Sequence, residues 1–327
     1  EEQLQIPHYI DTKEGRPCYT PEINRQIGKA VEAYSRTEGK RLVILVDGVE
    51  QLSGAPVRDP FLFIPWEQHR GMCLNDSVQM IFSSTEAYPV KNTIRYESIP
   101  AFCRTEKAGA VNGILRTSGK ELSRQVIGEI LEKPGSSSPL YISMILWRLQ
   151  MMDKEDFDRI RDVGDGMEAI TAYQISLVRD CPDDADDICA DIIDLAARRL
   201  GGEFVYPALK YLAISRHGLR ERDLEALLTG RGISWSALDF SLFIHYLNIF
   251  FICRSSGHYE FSHKSIRRVV LSKCRDMRQM HRDIYRYLMG LELEDAVWQR
   301  ETGWHILEAG DARAFLAYIA EGKEKGV

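Results

Sequence analysis

Residues 41–50 read Arg-Leu-Val-Ile-Leu-Val-Asp-Gly-Val-Glu, and this stretch decides the fold that we predict. The five consecutive apolar residues 42–46 are too few for a helix and predict a strand buried on both faces, as in a parallel sheet. A second strand is predicted at 78–82, after a stretch that contains Pro and Gly and has room for a helix. A strand, a helix and a second strand imply a right-handed parallel crossover, so the chain is predicted to begin as an α/β protein.

Length and composition indicate several compact units. The 327 residues are 44% hydrophobic and 28% charged, which is typical of globular domains. The seven cysteines include no C-x-x-C pair, and the net charge of −6 argues against nucleic acid as a partner. No apolar run is long enough for a membrane span and the first residues contain no signal region, which favours a cytoplasmic location and a start at the edge of a fragment.

The pattern along the chain predicts four regions, α/β first and then mostly α. After the parallel-sheet region the pattern is helical, and from Tyr206 three helices precede two short strands, which is the element order of a winged helix. The predicted regions are a parallel-sheet region at 1–100, a helical region at 101–200, a winged helix at 201–275 and a helical extension at 276–327 that begins a repeat array.

Two carboxylates lie where they can act on a phosphate. Asp47 follows the first strand and Glu50 comes three residues later, and in open α/β sheets ligands bind beyond the carboxyl ends of the strands. Asp47 can hold Mg²⁺ while Glu50 orients a water for phosphoryl transfer, which is a Walker B pattern. The alternative is that Asp47 and Gly48 form a turn and Glu50 begins a solvated helix, and the motif alone leaves both open.

Two further features fit a nucleotide site. The second strand ends in Ser83, Ser84 and Thr85, hydroxyl side chains at the place where such ATPases sense the γ-phosphate, although a plain turn uses the same residues. Ser138 as N-cap and Pro139 at the first helical position begin a strongly apolar helix. The beginning of that helix can line an adenine pocket, or the segment can be only a well-capped core helix.

Taken in this order, the motifs resemble the STAND branch of the AAA+ ATPases, the signal-transducing NTPases related to NACHT proteins, and especially nephrocystin-like and telomerase-associated members. The resemblance covers roughly residues 40 to 310. It implies that 1–100 is the C-terminal part of a P-loop NTPase core and that 101–200 is its lid. The stretches that carry the resemblance are 42–52, 94–100, 115–123, 138–141, 217–228, 259–268 and 303–310.

Position by position, the resemblance implies a role for each candidate residue. Asp47 would hold Mg²⁺, Glu50 would activate water, Thr85 would lie near the γ-phosphate and Pro139 would contact the base or ribose. His263 would touch the β-phosphate of bound ADP and lock the closed state. An imidazole suits that role because a ring nitrogen can donate to phosphate, although a satisfied histidine beside a hairpin is the alternative.

The sequence also departs from the family. It contains no G-x-x-x-x-G-K-[ST] loop, since the stretch from Gly113 to Lys120 has the wrong spacing and is followed by Glu121. The family's asparagine before the proline is Ser138, and its aspartate after the histidine is Lys264. Without a P-loop this chain alone is expected neither to bind ATP tightly nor to hydrolyse it.

Different classes of function remain open at this point. The first is an ATP/ADP- and Mg²⁺-dependent signalling switch, in which nucleotide exchange or hydrolysis releases the winged helix for assembly with other domains of the polypeptide or into a homo-oligomer. The second is a non-enzymatic scaffold with an incomplete nucleotide site. DNA binding through the basic residues of 264–286 is the least favoured, because charges around a long amphipathic helix are usually a solvated face.

Overall fold

The computed structural model describes residues 42–47, 78–84, 97–292 and 295–324. The chain divides into two compact units, residues 1–98 and residues 99–326. The described part of the first unit is one pair of strands, β1 (Leu42–Val46) and β2 (Val78–Phe82), which run parallel in continuous register. The strands predicted from the two apolar runs are therefore present and parallel.

The predicted fold class, a parallel-sheet P-loop NTPase core followed by mostly helical structure, is wrong. Helices make up 70% of the described residues, and their only sheet of more than two strands is a small antiparallel one. The burial predicted for the first strand also fails, because Val43 and Leu45 are 46% and 72% exposed. A parallel sheet of a P-loop core is covered on both faces. In this pair of strands, the face that carries Val43 and Leu45 is exposed.

The second unit begins with helices, several of which start at residues typical of helix N-termini. Ser123 and Asp153 accept hydrogen bonds from backbone N–H groups of the helices they precede, and Pro139 occupies the first position of its helix. The six helices are α1 (Arg104–Ser118), α2 (Arg124–Glu132), α3 (Pro139–Gln150), α4 (Lys154–Val163), α5 (Gly166–Asp180) and α6 (Ala185–Leu200).

The next segment, residues 202–272, has the element order of a winged helix, and we call it the winged-helix segment. Two-residue strand β3 pairs with β5, and β5 pairs with β4, so a three-stranded antiparallel sheet closes the segment. The sequence did not predict β3, because two residues carry no alternation signal. The elements are α7 (Gly202–Ile214), β3 (Leu219–Arg220), α8 (Glu221–Gly230), α9 (Ala237–Tyr246), β4 (Phe251–Cys253), β5 (His258–Phe261) and α10 (Lys264–Ser272).

Gly218 sits where the chain turns into β3. Its φ is +75°, and an added Cβ would lie 2.3 Å from the carbonyl oxygen of Tyr259. We expect Gly218→Ala to lower the free energy of unfolding by about 2 kcal/mol in a urea titration, because left-handed strain and a backbone clash add. Gly232→Ala is the matched control, since φ is +78° there but nothing lies within 4 Å. Equal losses in both variants would show that the close approach to Tyr259 contributes nothing.

Three helices complete the described chain: α11 (Met277–Leu288), α12 (Ala296–Ala309) and α13 (Ala312–Glu324). Buried apolar side chains from α1 to the start of α12 form one continuous cluster, and a smaller cluster joins Tyr285, Ile306 and Ala309. The helical region and the winged-helix segment thus share one hydrophobic core. None of the described helices combines the length and the apolar character that crossing a membrane requires.

Candidate functional site

An open pocket of about 520 Å³ lies in the second unit where three helices begin. The N-terminal ends of α3, α6 and α10 line it, and α6 packs against both other helices. Pro139 and His263, to which the resemblance gave roles at one nucleotide, both line this pocket. The lining residues are Ser138, Pro139, Leu140 and Ser143 of the α3 end, Asp184, Ala185 and Asp186 of the α6 end, and His263, Ser265 and Arg268 of the α10 end.

The beginning of α3 can receive an anion. The first amides of a helix have no intrahelical acceptor and carry the positive end of the helix dipole. No side chain caps this end, although Ser138 is the N-cap residue, and Pro139 at the first position has no N–H. The N–H groups that follow Pro139 are therefore the donors that a phosphate at this helix end would use.

The beginning of α10 places an imidazole at the same pocket. His263 is the N-cap residue, and its Nδ1 accepts a hydrogen bond from the backbone N–H of Ser265 at 3.2 Å. Because Nδ1 uses its lone pair in this bond, the neutral ring carries its proton on Nε2. His263 thus keeps one N–H donor for a ligand while its other nitrogen stabilises the helix.

The beginning of α6 contributes acidic groups to the pocket. The Asp184 carboxylate accepts a hydrogen bond from the backbone N–H of Asp186 at 2.7 Å, so this helix end is capped by its own acid. One guanidinium nitrogen of Arg268 lies 2.8 and 3.0 Å from the two carboxylate oxygens of Asp186. The charge of Arg268 is therefore balanced within the pocket, and the uncompensated attraction for an anion comes from α3 and α10.

The pair of Arg268 and Asp186 was not predicted from the sequence, in which Arg268 was grouped with the other basic residues of 264–286. The pairing joins residues that are 82 positions apart. No local pattern in the sequence encodes such a contact.

The predicted Mg²⁺ ligand lies in the first unit. The hydroxyl of Ser83, just after β2, donates a hydrogen bond to the carboxylate of Asp47, just after β1. One carboxylate with one hydroxyl is a donor set that fits Mg²⁺, which takes most of its remaining ligands from water and phosphate. The predicted residues Glu50 and Thr85 lie outside the described part of the chain. Among the described side chains, no three His, Cys, Asp or Glu form a group able to hold a metal ion.

Comparison of the chain with family models, with curated proteins and with solved structures finds no match. The geometry of the pocket and the motifs of the sequence are therefore the basis for assigning a function.

Proposed function

We propose that the chain is part of an ATP/ADP-dependent signalling switch and that the phosphates of the nucleotide bind at the pocket between α3 and α10. The observation that carries the proposal is the shared position of Pro139 and His263, which come from separate segments and line one pocket. The resemblance assigned them to the base or ribose and to the β-phosphate of one nucleotide. That assignment requires them to lie together.

The local chemistry of the pocket supports a phosphate ligand. The uncapped beginning of α3 offers backbone N–H groups, and the Nε2–H of His263 offers a side-chain donor. Helix N-termini bind phosphate because the amides and the helix dipole act together. Two converging ends of this kind favour a ligand with more than one phosphate group over a single small anion.

A ligand in this position can act as a switch. It would contact α3, in the helical region, and α10, which follows the winged-helix sheet. Any ligand that contacts both helices favours the arrangement in which their N-terminal ends line one pocket, and it favours that arrangement by its differential affinity. The helical region is also joined to the winged-helix segment by Trp147 of α3, whose Nε1 donates to the carbonyl oxygen of Tyr246, at the end of α9, at 2.8 Å. Exchange of the nucleotide would change the contribution of the ligand and leave the hydrogen bond of Trp147 unchanged.

Hydrolysis belongs to the proposal as well, through Asp47 as the Mg²⁺ ligand and Glu50 as the group that orients water. The contact between Asp47 and Ser83 supports the first assignment, because it shows that the acid lies where two strands end together. When bound at Asp47, Mg²⁺ would supply positive charge that neutralises a phosphate. Assembly into a homo-oligomer on activation and a cytoplasmic location are further parts of this proposal.

One observation favours the alternative, a non-enzymatic scaffold. Asp184 and Asp186 line the same pocket, and Asp186 occupies the guanidinium of Arg268. Like charges oppose a phosphate, and a cation that is already paired attracts it less. A scaffold that has lost its nucleotide site would retain the contact between α6 and α10 and would need no ligand.

Titration of the full chain with Mg²⁺-ADP by calorimetry tests the proposal. We expect a dissociation constant on the order of 1 mM, because the described site offers only a few donors. We expect His263→Asp to weaken binding by about tenfold or more, because the variant loses the Nε2–H donor and adds a negative charge. Aspartate is a good N-cap residue, so α10 is expected to keep its stability.

The control is Asn112→Asp, which adds a negative charge on the exposed face of α1, at a residue that does not line the pocket. This variant should bind Mg²⁺-ADP as the unchanged chain does. If the unchanged chain shows no binding at about 10 mM nucleotide, ten times the expected dissociation constant, the result would favour the scaffold. Equal weakening by both variants would show that the pocket is not where the nucleotide binds.

A further inference from the structure

A chain of buried polar side chains connects the C-terminal helices to the winged-helix segment. Glu301 and His305 lie one turn apart on α12 and are 1% and 0% exposed, and His281 of α11 is 6% exposed. This series of polar groups ends at the turn before β3, at Arg216 and His217. We call Glu301, His305 and His281 the buried triad. None of the three lines the pocket between α3 and α10.

Glu301 is saturated with hydrogen-bond donors. It accepts from the backbone N–H groups of Arg216 at 3.1 Å and of His217 at 2.7 Å. It also accepts from Nδ1 of His217 at 2.7 Å and from Nε2 of His305 at 3.0 Å. A carboxylate offers about four lone-pair positions, and all are used here. Burial raises the pKa of Glu301, but these donors outweigh burial and lower the pKa to about 2.

The hydrogen bonds fix where protons lie in the buried triad. His305 donates from Nε2 to Glu301, so the Nδ1 of its neutral ring holds a lone pair. That atom is 2.8 Å from Nδ1 of His281, which must therefore carry the hydrogen. The lone pair that remains in the pair of rings is on Nε2 of His281. One additional proton therefore binds at that atom and forms a buried imidazolium.

The surroundings of His281 oppose this charge. Its ring packs against Trp304, with 5.1 Å between the ring centroids. Burial is the main cause that lowers the pKa of His281, to about 4; His305 and Arg267 lower it as well and Glu301 opposes them. The titratable or charged groups that face the two imidazoles are Arg216 and His217 from the turn, Arg267 from α10, and Glu301, His305 and Glu308 from α12.

We propose that the buried triad is an acid-sensitive connection, in which protonation of His281 by hydronium releases the hold of Glu301 on the turn at Arg216 and His217. The imidazolium regains hydration only if α11 and α12 separate around it. Because Glu301 lies on α12, this separation withdraws its carboxylate from the two backbone N–H groups. Acid thus detaches the C-terminal helices from the winged-helix segment.

The sign of the effect follows from the two pKa values. The opened state has the ordinary histidine pKa near 6.5 and the closed state has a pKa of about 4, so opening takes up a proton between these values. The closed connection is fully stable above pH 6.5 and is progressively lost as the pH falls towards 4. Glu301 itself titrates below this range.

Amide hydrogen exchange of the full chain, corrected for intrinsic rates, tests the proposal. We expect the protection factors of the Arg216 and His217 amides to fall about tenfold between pH 7 and pH 5. In His281→Asn, the amide Nδ2 takes the place of Nδ1–H and still donates to His305, but it cannot be protonated. We expect its protection factors to change less than about twofold over the same range.

His245→Asn, at an exposed histidine outside the buried triad, is the matched control and should behave as the unchanged chain does. The same decline in His281→Asn and in the unchanged chain would overturn the proposal. A second measurement needs no variant: the ring of His281 is titrated by NMR in the folded chain. A midpoint near 6.5 would overturn the proposal even if the asparagine variant does not fold, and a midpoint well below 6 supports it.

Discussion

Replacing Glu301 by glutamine is expected to lower the free energy of unfolding by about 4 kcal/mol, measured by urea denaturation at pH 7.5. Glutamine has nearly the same shape, but its NH₂ group replaces an acceptor that faces N–H donors. Two of those donors, from Arg216 and His305, meet one oxygen of Glu301, and the two from His217 meet the other. Whichever way the amide turns, its NH₂ group faces two N–H donors that are partly or fully buried.

The matched control is Glu225→Gln on the exposed face of α8. An exposed substitution of this kind is expected to change the free energy of unfolding by no more than about 0.5 kcal/mol. The loss in Glu301→Gln should also shrink on acidification below pH 4.5, because the stability that a carboxylate with a lowered pKa contributes is lost as the pH falls towards about 2. If Glu301→Gln is as stable as Glu225→Gln at pH 7.5, water must provide the hydrogen bonds that we assign to the Glu301 carboxylate.

Asp223→Asn is expected to cost about 3 kcal/mol of unfolding free energy, measured in the same way. Asp223 is fully buried and accepts from Nε of Arg220 at 2.8 Å and from Nη2 of Arg220 at 2.8 Å. It also accepts from the hydroxyl of Tyr287 at 2.7 Å, which connects α8 to α11. Asparagine keeps the volume but removes the charge and one acceptor. Arg220 keeps Asp295 as a partner at 2.9 Å, which limits the loss.

Asp162→Asn, on the exposed surface of α4, is the control for Asp223 and should be nearly neutral. A loss below about 1 kcal/mol in Asp223→Asn would show that the second carboxylate, Asp295, compensates for the first. Combining Asp223→Asn with Asp295→Asn would then reveal the full cost, since the Arg220 guanidinium would have lost both carboxylates.

Local signals predicted helix starts well and sheet content badly. Pro139 after Ser138 predicted the start of α3 at the residue where it begins, because N-cap chemistry is contained in adjacent residues. The apolar run 42–46 predicted a strand, which the structure has, but its burial was predicted from composition alone. Whether Val43 and Leu45 are covered depends on distant parts of the chain. For that reason the inference from one buried strand to a parallel-sheet core was wrong.

The site was predictable only in part, for the same reason. Pro139 and His263 were selected through motif order, and the structure brings them to one pocket. The partner of Arg268 was not predictable, because α6 meets α10 only in the folded chain. The buried triad left one local trace, Glu301 and His305 at a helical spacing of four. That spacing is common on solvated helix faces and acquires meaning only through the turn at Arg216 and His217.

The hold of Glu301 on the turn also has a kinetic consequence. The backbone N–H of His217 and its acceptor are 84 positions apart, whereas most contacts within the helices join near neighbours. Bringing such distant segments together costs loop-closure entropy, and we predict that this contact forms only after the rate-limiting step of folding. An interaction absent from the transition state slows unfolding without speeding folding. On this prediction, Glu301→Gln speeds unfolding and leaves the folding rate nearly unchanged.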